Sequence, residues 1–433
     1  MADEKNWIRE AMFYHIYPLG FTGAPLRNEG EATAGGRILE VLDWIEHFKE
    51  LGINAIYFGP IFESVSHGYD TTDYYQTDSR LGSKEDFKKV FTALHENGIR
   101  VIVDGVFNHV GRKFFAFLDV QKNLEQSDYK DWFCNLNFSW QSPLGDSFSY
   151  ENWHGAAELV KLNLRNPAVC EHLLGAVGMW MDELGIDGLR LDAADCVDRE
   201  FFKRLHSFTK GKREDFWLMG EIIHGDYRVW ANDEMLDSVT NYECWKGIYS
   251  SHNDKNYFEI AYSLKRQFGQ GGLYENLCLY NFLDNHDVNR IGSLLKQREN
   301  LKNAYTLLYM MPGIPSIYYG SEWGIEGVKG QGMDADLPLR PKLDLEEMCA
   351  QETDLPAHIR ELAKIRKESD AVKYGAYDEV LVRNKQFVFA RRSGEQYKLI
   401  AFNLTDHAET LYFSYQGKEY EVLLEAYTSK IME

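Results

Sequence analysis

Eight short apolar segments recur along the first 320 residues of the chain, and stretches of helical character separate them. Strands that alternate with helices in this way build a parallel sheet. Eight of them fit a closed (β/α)8 barrel better than an open doubly wound sheet, and no GxGxxG motif follows the first segment. The sequence therefore predicts a (β/α)8 TIM barrel. The predicted strands are MFYHIYPL, NAIYFGP, RVIVDGVF, GLRLD, FWLMGEI, LDSVTNY, LCLYNFLD and PSIYYG.

Two of the intervening helices are well marked in the sequence. They are VLDWIEHFKELG and SKEDFKKVFTALHENG. The second begins with Ser83 and Asp86 in a capping-box arrangement and closes at Gly98. We therefore expect a helix between these residues.

The chain has 433 residues, which is more than one core usually holds, so a large domain with smaller modules is expected. An irregular, aromatic stretch at 111–158 follows the third strand and is longer than a normal βα connection. It predicts a small inserted subdomain over the barrel mouth. After the helix LPAHIRELAKIRKESDAV, five strand-like segments predict a C-terminal antiparallel, β-sandwich-like domain over 374–433. The barrel is then assigned residues 1–110 and 159–373.

The overall charge and the lack of export signals limit the partners. A formal net charge of −20 disfavours nucleic acid and anionic membranes, which repel an acidic surface. The N-terminal segment MADEKNWIREAMFYHIYPLGF contains no signal-peptide pattern, and no run of about 18 apolar residues occurs. The six cysteines form no CxxC pair, so we expect reduced thiols. Together these features favour a cytoplasmic protein with an uncharged substrate.

Three carboxylates stand where predicted strands end: Asp192 in GLRLDAADCV, Glu221 in LMGEIIHGD and Asp287 in FLDNHDVNR. Each alone is more often a helix cap or a solvated loop residue. In a (β/α)8 barrel, however, the side chains just past the carboxyl ends of the strands converge on one face. Cleavage of a glycosidic bond requires two carboxyl groups in different protonation states. The combination therefore indicates a sugar-cleaving barrel.

Arg190 is two residues before Asp192 in a strand, so both side chains point to the same face. A guanidinium there would hold Asp192 ionised and oriented, as a nucleophile requires. Glu221 would have to keep its proton until the leaving oxygen takes it.

Further polar and aromatic residues follow the strand ends. The N–H groups of His109 and His286 suit hydrogen bonds to sugar hydroxyls. Tyr69 could stack on a pyranose, and the neighbouring Asp70 could accept hydroxyl hydrogen bonds. Most of the other aromatic residues are expected in the core.

These segments resemble the conserved regions of the α-amylase superfamily, glycoside hydrolase family 13. DGVFNH, GLRLDAADCV, GEI and FLDNHD are similar to its first to fourth regions, and the match runs along nearly the whole chain. The resemblance implies a retaining reaction in which Asp192 is the nucleophile, Glu221 the general acid/base and Asp287 the stabiliser of the transition state. It implies no required cofactor. Together with the residues already named, the residues expected to bind substrate are Tyr69, Asp70, Asp104, His109, Arg190, His286, Asp195 and Arg340.

Within this superfamily, LVKLNLRNP resembles the MPKLN-type signature of the neopullulanase, cyclomaltodextrinase and maltogenic amylase group. That group usually carries an extra N-terminal domain that helps to form its dimer, whereas this barrel begins almost at Met1. FLDNHDVNR is also closer to ordinary α-amylases and glucanotransferases. The oligomeric state therefore stays open.

The second region departs from its relatives at Asp195 and Cys196, where α-amylases commonly have Lys-His and the neopullulanase group has Asn-Glu. The departure leaves the contacts on the leaving-group side undefined. It also removes the histidine of the α-amylase calcium site. Asn108 could still be a calcium ligand, but a thiol is a poor ligand for a hard cation. We therefore expect no metal.

The leading hypothesis is an α-glucan hydrolase that cleaves α-1,4 bonds of maltooligosaccharides, starch or cyclodextrins through a covalent glycosyl-enzyme intermediate. An alternative is a 4-α-glucanotransferase, in which a sugar instead of water intercepts the same intermediate. A third hypothesis is a non-catalytic carbohydrate-binding relative. Such relatives usually lack one of the three acids, and all three are present here.

Overall fold

The computed structural model describes residues 7–30, 36–332 and 334–433. Outside the described residues lie 1–6, 31–35 and 333, all of which belong to the range predicted as barrel. The first six residues of the N-terminal segment MADEKNWIREAMFYHIYPLGF are among them. Within the described ranges the strands are β1 (Phe13–Ile16), β2 (Ala55–Phe58), β3 (Phe62–Ser64), β4 (Thr71–Thr77), β5 (Arg100–Gly105), β6 (His109–Gly111), β7 (Asn152–Trp153), β8 (Ala156–Lys161), β9 (Gly188–Leu191), β10 (Trp217–Gly220), β11 (Ser238–Val239), β12 (Tyr280–Phe282), β13 (Ile314–Tyr318), β14 (Ala376–Val382), β15 (Gln386–Ser393), β16 (Gln396–Asn403), β17 (Glu409–Tyr415), β18 (Lys418–Leu424) and β19 (Ser429–Met432).

The α-helices of the same ranges are α1 (Pro18–Phe21), α2 (Ile45–Glu50), α3 (Lys84–Glu96), α4 (Phe115–Asn123), α5 (Pro167–Met179), α6 (Arg199–Lys212), α7 (Tyr242–Asn253), α8 (Phe258–Phe268), α9 (Ile291–Leu294), α10 (Leu301–Met310), α11 (Leu345–Cys349), α12 (Leu355–Glu368) and α13 (Asp370–Tyr374). None of these helices combines the length and the apolar character that crossing a bilayer requires.

Eight parallel strands form one sheet in the order β11-β10-β9-β5-β2-β1-β13-β12. A parallel bridge between Thr240 and Tyr280 joins the two ends of this order, so the sheet closes on itself. These are the eight strands that the sequence predicts. The predicted (β/α)8 barrel is confirmed, and the open doubly wound sheet is excluded.

Alternation along the strands divides the core into two shells. Inward residues such as Phe13, Ala55 and Ile102 pack together inside the barrel. Their outward neighbours, such as Tyr14 and Ile56, pack against the surrounding helices. The division follows from the two-residue period of a strand.

Helix α3 confirms the predicted boundaries. The Ser83 hydroxyl accepts the Asp86 backbone N–H, and the Asp86 carboxylate accepts the Ser83 N–H, which completes the capping box. Gly98, with φ of +72°, follows the helix in a left-handed conformation that favours glycine. The other marked segment differs from the prediction, because residues 37–44 form a 3₁₀ helix before α2 begins at Ile45.

The helix predicted over LPAHIRELAKIRKESDAV is interrupted. Ser369 is extended and its hydroxyl accepts the Val372 N–H, so α12 ends and α13 starts with a serine cap. Two antiparallel sheets follow, β14-β15-β16-β19 and β17-β18. The predicted C-terminal antiparallel β domain is therefore confirmed. Strand β19 was not predicted.

The segment inserted after β5 contains α4 and a three-stranded antiparallel sheet, β6-β8-β7. This sheet also uses residues 109–111 and 156–161, on either side of the segment 111–158 assigned from the sequence. The domain boundaries drawn from the sequence stay predictions. A hairpin of β3 and β4, between β2 and α3, was not predicted.

Candidate active site

One buried guanidinium connects three carboxylates at the carboxyl ends of neighbouring strands. Nη1 of Arg190 lies 2.8 Å from Oδ1 of Asp104 and 3.0 Å from Oδ1 of Asp192. Its Nη2 lies 2.7 Å from Oε2 of Glu221. Arg190 is an inward residue of β9, and it is 3% exposed. The structure thus brings together four of the predicted site residues.

Several opposing effects act on the pKa of Asp192. Burial raises the pKa of its carboxyl well above the ordinary value, Arg190 lowers it, and the charges of Glu221, Asp104 and Asp287 raise it again. Arg190 thus favours the ionised form of Asp192, as the sequence predicts, but burial and the neighbouring acids oppose it. Asp192 and Glu221 share the guanidinium of Arg190 as a partner.

Glu221 is positioned by groups from both neighbouring strand ends. Its Oε2 accepts the backbone N–H of Ala193 at 3.1 Å, and its Oε1 accepts the Tyr242 hydroxyl at 3.3 Å. That hydroxyl in turn accepts a hydrogen bond from Nδ2 of Asn285 at 3.0 Å. Ala193 has φ of +43°, a conformation that non-glycine residues rarely adopt and that turns its N–H toward Glu221. Sequence reasoning missed Tyr242 and Asn285.

Asp287 is also fixed by two partners. Nε2 of His286 lies 2.9 Å from its Oδ2, and Nη2 of Arg340 lies 2.9 Å from its Oδ1. Burial acts to raise the pKa of Asp287, but His286, Arg340 and Arg190 together hold it well below its usual range. Asp287 is therefore an anion throughout the physiological pH range. Arg340 also contacts a second carboxylate, because its Nη2 lies 3.1 Å from Oδ2 of Asp336.

Three aromatic rings line the site next to His286. The rings of Tyr69 and Tyr17 stack with that of His286, with centroids 5.5 and 5.8 Å away. The Tyr69 hydroxyl contacts Nε2 of His286 and donates to Oδ2 of Asp104 at 3.1 Å. The Tyr57 hydroxyl donates to the same Asp104 oxygen at 2.7 Å. Tyr57 could have been found from its inward position in β2, two residues after Ala55.

Several buried polar atoms of the site have no hydrogen-bond partner among the described residues. They include Nε2 of His109, Nδ1 of His286 and Nε2 of His15. His109 lies 4.0 Å from Oδ2 of Asp192, and burial lowers its pKa to about 3, so its ring is neutral. Unpaired buried polar atoms are costly, so they are suited to hydrogen bonds with a bound ligand.

Asp70, unlike the other predicted residues, supports a loop. Its Oδ1 accepts the Ser66 backbone N–H at 3.1 Å, and its Oδ2 accepts the Ser66 hydroxyl at 2.7 Å. The expectation that its carboxylate is available to substrate hydroxyls is therefore not supported by the geometry.

The tip of the β7–β8 hairpin reaches the loop that follows Asp192. Nε2 of His154 lies 3.5 Å from Sγ of Cys196, and the Trp153 ring lies 6.0 Å from the His109 ring. His154 has φ of +46° and precedes Gly155, with φ of +90°, so the two residues form a tight turn. Asp195 is exposed beside Cys196. The hairpin therefore forms a wall of the cleft beside His109 and the loop that follows Asp192.

Asn108 is the possible calcium ligand named from the sequence. Oδ1 of Asn108 is buried and unpaired among the described residues, which leaves one oxygen available. Burial and Asp195, however, raise the pKa of the Cys196 thiol to about 11, so the position where the family has its histidine offers a neutral thiol. In the described part of the chain, no three His, Cys, Asp or Glu side chains group together in a way that could hold a metal ion. No step of the chemistry below uses a metal.

The arrangement agrees with similarity to known proteins. A family model described as the catalytic domain of alpha-amylase matches residues 15–361. A cyclomaltodextrinase from a Bacillus species is 31% identical over 428 residues, which cover 94% of this chain and 74% of that protein. The intracellular maltogenic amylase of Bacillus subtilis is 30% identical over 420 residues, which cover 92% of this chain and 69% of that protein.

Solved structures with the same fold include the ligand-free cyclic α-maltosyl-(1→6)-maltose hydrolase of Arthrobacter globiformis. It is 26% identical, with a TM-score of 0.85, and the match covers 99% of both chains. The whole described architecture, including the C-terminal sheets, therefore has a counterpart in a single solved chain.

Proposed function

The chain is a member of the α-amylase family of glycoside hydrolases, and we propose that it is a retaining hydrolase of α-1,4-linked glucans that acts on maltooligosaccharides, starch or cyclodextrins. The observation that carries the proposal is the guanidinium of Arg190, which contacts both Asp192 and Glu221. It holds the two carboxyl groups at one place in the site, as a mechanism needs in which one acts as nucleophile and the other as acid and base.

In the first step, a carboxylate oxygen of Asp192 forms a bond to the anomeric carbon while the bond from that carbon to the glycosidic oxygen breaks. Glu221 gives its proton to the departing oxygen. Asp287, which remains an anion, stabilises the positive charge that develops on the sugar ring. The product of this step is a glycosyl ester of Asp192.

In the second step, Glu221 takes a proton from a water molecule, and the water oxygen replaces Asp192 at the anomeric carbon. The active form carries one proton for the pair of acids, on Glu221 and not on Asp192. Because burial raises the pKa of Asp192, we expect the acid limb of the pH–rate profile to lie above the ordinary range of an aspartate.

The proposed substrate contacts are the unpaired nitrogens of His109 and His286 and the ring of Tyr69. Asp104 and Arg340 hold Arg190 and Asp287 in place. Asp195, which is exposed, is proposed to face the leaving group.

The direct test is Asp192→Asn, assayed with maltoheptaose by chromatography of the products. We expect turnover to fall by at least about 10⁴-fold, as is usual when a covalent nucleophile is lost. Asp182→Asn, which changes an exposed carboxylate of the same barrel, is the matched control and should keep full activity. Full activity of the Asp192 variant would refute the assignment.

A second candidate function is sugar transfer, and the hairpin wall favours it. Trp153 is 36% exposed beside the cleft, so its ring can hold an acceptor sugar on the leaving-group side. Incubation with maltotriose decides between the two activities. Products longer than maltotriose, without a net gain of reducing ends, would establish transfer, whereas maltose and glucose alone would establish hydrolysis.

The finer substrate and the location of the protein are also proposals. The Arthrobacter hydrolase is named for a cyclic sugar with 1→6 bonds, so such a sugar should be tested beside starch, pullulan, β-cyclodextrin and sucrose. The name of the Bacillus subtilis relative supports an intracellular site of action. We propose no metal cofactor and no nucleic-acid or membrane partner.

A further inference from the structure

A second cavity lies between β4, the start of α4, and α5. Its volume is about 780 Å³, within the range of about 300–1,000 Å³ typical of sites for small molecules. Tyr75, Phe115 and His172 supply rings to its wall, and Asp73 and Lys113 supply charged groups. None of these residues belongs to the active site described above.

The aromatic part of the wall is preorganised. The His172 ring lies 5.1 Å from that of Tyr75 and 5.4 Å from that of Phe115. The Tyr75 hydroxyl donates to the His172 carbonyl at 2.8 Å, which ties β4 to α5. A methyl group added at Gly175 would lie 2.6 Å from the same hydroxyl, so the helix approaches Tyr75 as closely as a glycine allows.

Apolar surface remains open at the mouth. Phe115 is 42% exposed and Leu118, one turn later in α4, is 47% exposed. Burial lowers the pKa of His172, so its ring adds no charge, and its Nε2 has no hydrogen-bond partner among the described residues. A ligand with an apolar face would cover the exposed rings and gain free energy from the area that it buries.

The polar groups of the wall suit a neutral ligand with hydroxyl groups. Oδ1 of Asp73 accepts the Tyr75 backbone N–H at 2.8 Å, which leaves its other oxygen open. Lys113 forms no ion pair within the described part of the chain. The wall thus carries one acid and one base, so its net charge favours neither an anion nor a cation, whereas hydroxyls can hydrogen-bond to both groups.

Two residues of the cavity wall are close in sequence to residues of the active site. Asp73 follows Tyr69 by four residues, and Lys113 follows His109 by four. At no more than about 3.6 Å per residue, each pair of Cα atoms is within about 14 Å. The cavity and the active site are thus close enough for one glucan chain of several sugar units to reach both.

From these observations we infer that the cavity is a second binding site for α-glucan chains, separate from the site of cleavage. The occupant is a short maltooligosaccharide segment, whose sugar rings have apolar faces and hydroxyl rims. The inference rests on the proposed function for the identity of the ligand. Occupation of the cavity would hold a long substrate near the enzyme and would raise its effective concentration at the active site.

The test uses the full chain with Asp192→Asn, which permits binding without turnover. Calorimetric titration with maltoheptaose should give two sites per chain in this background and one site when Phe115→Ala is added. Phe258→Ala, which removes an exposed phenylalanine on α8, is the matched control and should keep two sites. In an otherwise unchanged chain, Phe115→Ala should weaken retention on insoluble starch by about tenfold, the order expected for a lost aromatic contact, and should leave kcat/KM for maltotriose within a factor of two.

The outcomes separate the inference from the proposed function. One site in every variant, with active enzyme, overturns the second site and leaves the hydrolase intact. An inert enzyme that still loses a glucan site through Phe115→Ala supports the second site and refutes the hydrolase. A dimer that dissociates on Phe115→Ala, with no loss of glucan binding, would show that a second copy of the chain covers the cavity and would overturn the inference.

Discussion

Asp104→Asn tests the charge balance around Arg190 most directly. Asp104 is 1% exposed and accepts hydrogen bonds from Arg190, Tyr57 and Tyr69. Asparagine has nearly the same shape, so the change removes one negative charge with little loss of volume. Its amide group also places two N–H donors where the aspartate accepts.

The variant should be less stable and still fold. Breaking a buried ion pair by removing one partner costs about 3–5 kcal/mol. Arg190 keeps Asp192 and Glu221 as partners, so we expect the low end of that range, about 3 kcal/mol, in urea unfolding at pH 7.

The variant should also change the pH–rate profile in a defined direction. The charge of Asp104 raises the pKa of Asp192, so its removal should lower that pKa and move the acid limb of kcat/KM to lower pH. The two carboxylates contact the same Nη1 at 2.8 and 3.0 Å, so their nearest oxygens are less than about 6 Å apart. At that distance and an effective dielectric constant of about 20, the repulsion is about 2.8 kcal/mol. Relaxation of the site reduces this repulsion, but we expect the acid limb to move measurably to lower pH.

The assay is kcat/KM for maltoheptaose between pH 3 and 9, measured beside the urea unfolding. Asp284→Asn is the matched control, because Asp284 is also a buried carboxylate of the barrel but accepts from Ser321 and the Ile291 N–H. It should destabilise the fold without moving the acid limb. An acid limb of the Asp104 variant that stays in place or moves to higher pH would refute the reasoning.

Three further predictions can be checked separately. Ser83→Ala should lower the free energy of unfolding by about 1 kcal/mol through loss of the capping box of α3, with kcat unchanged; a loss below 0.3 kcal/mol would contradict the cap. Dialysis against a chelator should leave both Tm and activity unchanged, because Cys196 presents a neutral thiol at the position of the family's calcium-site histidine; activity restored only by calcium would contradict this. Trp153→Ala should raise KM for maltotriose more than it lowers kcat and should reduce any transfer products, as seen by chromatography; an unchanged product pattern would remove Trp153 from the leaving-group side.

Local period and strand ends were enough to predict much of the site. Arg190 and Asp192 are two residues apart in one strand, so their shared direction follows from the sequence alone. Closeness to a strand end was not enough to predict the contacts of two consecutive residues. Tyr69 and Asp70 were both expected to contact the substrate, but the Asp70 carboxylate accepts hydrogen bonds from Ser66, and only Tyr69 contacts His286.

Contacts across the barrel could not be predicted in this way. Tyr242 reaches Glu221, and Asn285 reaches Tyr242, from the ends of two other strands, which meet only because the sheet closes between β11 and β12. The contact of His154 with Cys196 depends on a two-residue turn in the inserted segment. Neither contact leaves a pattern in the sequence.

Inside the barrel, the apolar residues of the core and the polar residues near the acids lie at different positions along the strands. The last inward residues of four adjacent strands are polar, namely His15, Tyr57, Asp104 and Arg190, and they form one connected layer below the acids. The inward residues two positions earlier, Phe13, Ala55, Ile102 and Gly188, are apolar or lack a side chain. Changing the polar layer therefore disturbs charge pairs that several strands share. The residues beyond it, Asp195, Cys196 and His154, are partly exposed and contact few of these groups. They can change at low cost, so differences in the preferred glucan are expected to arise there and not among the acids.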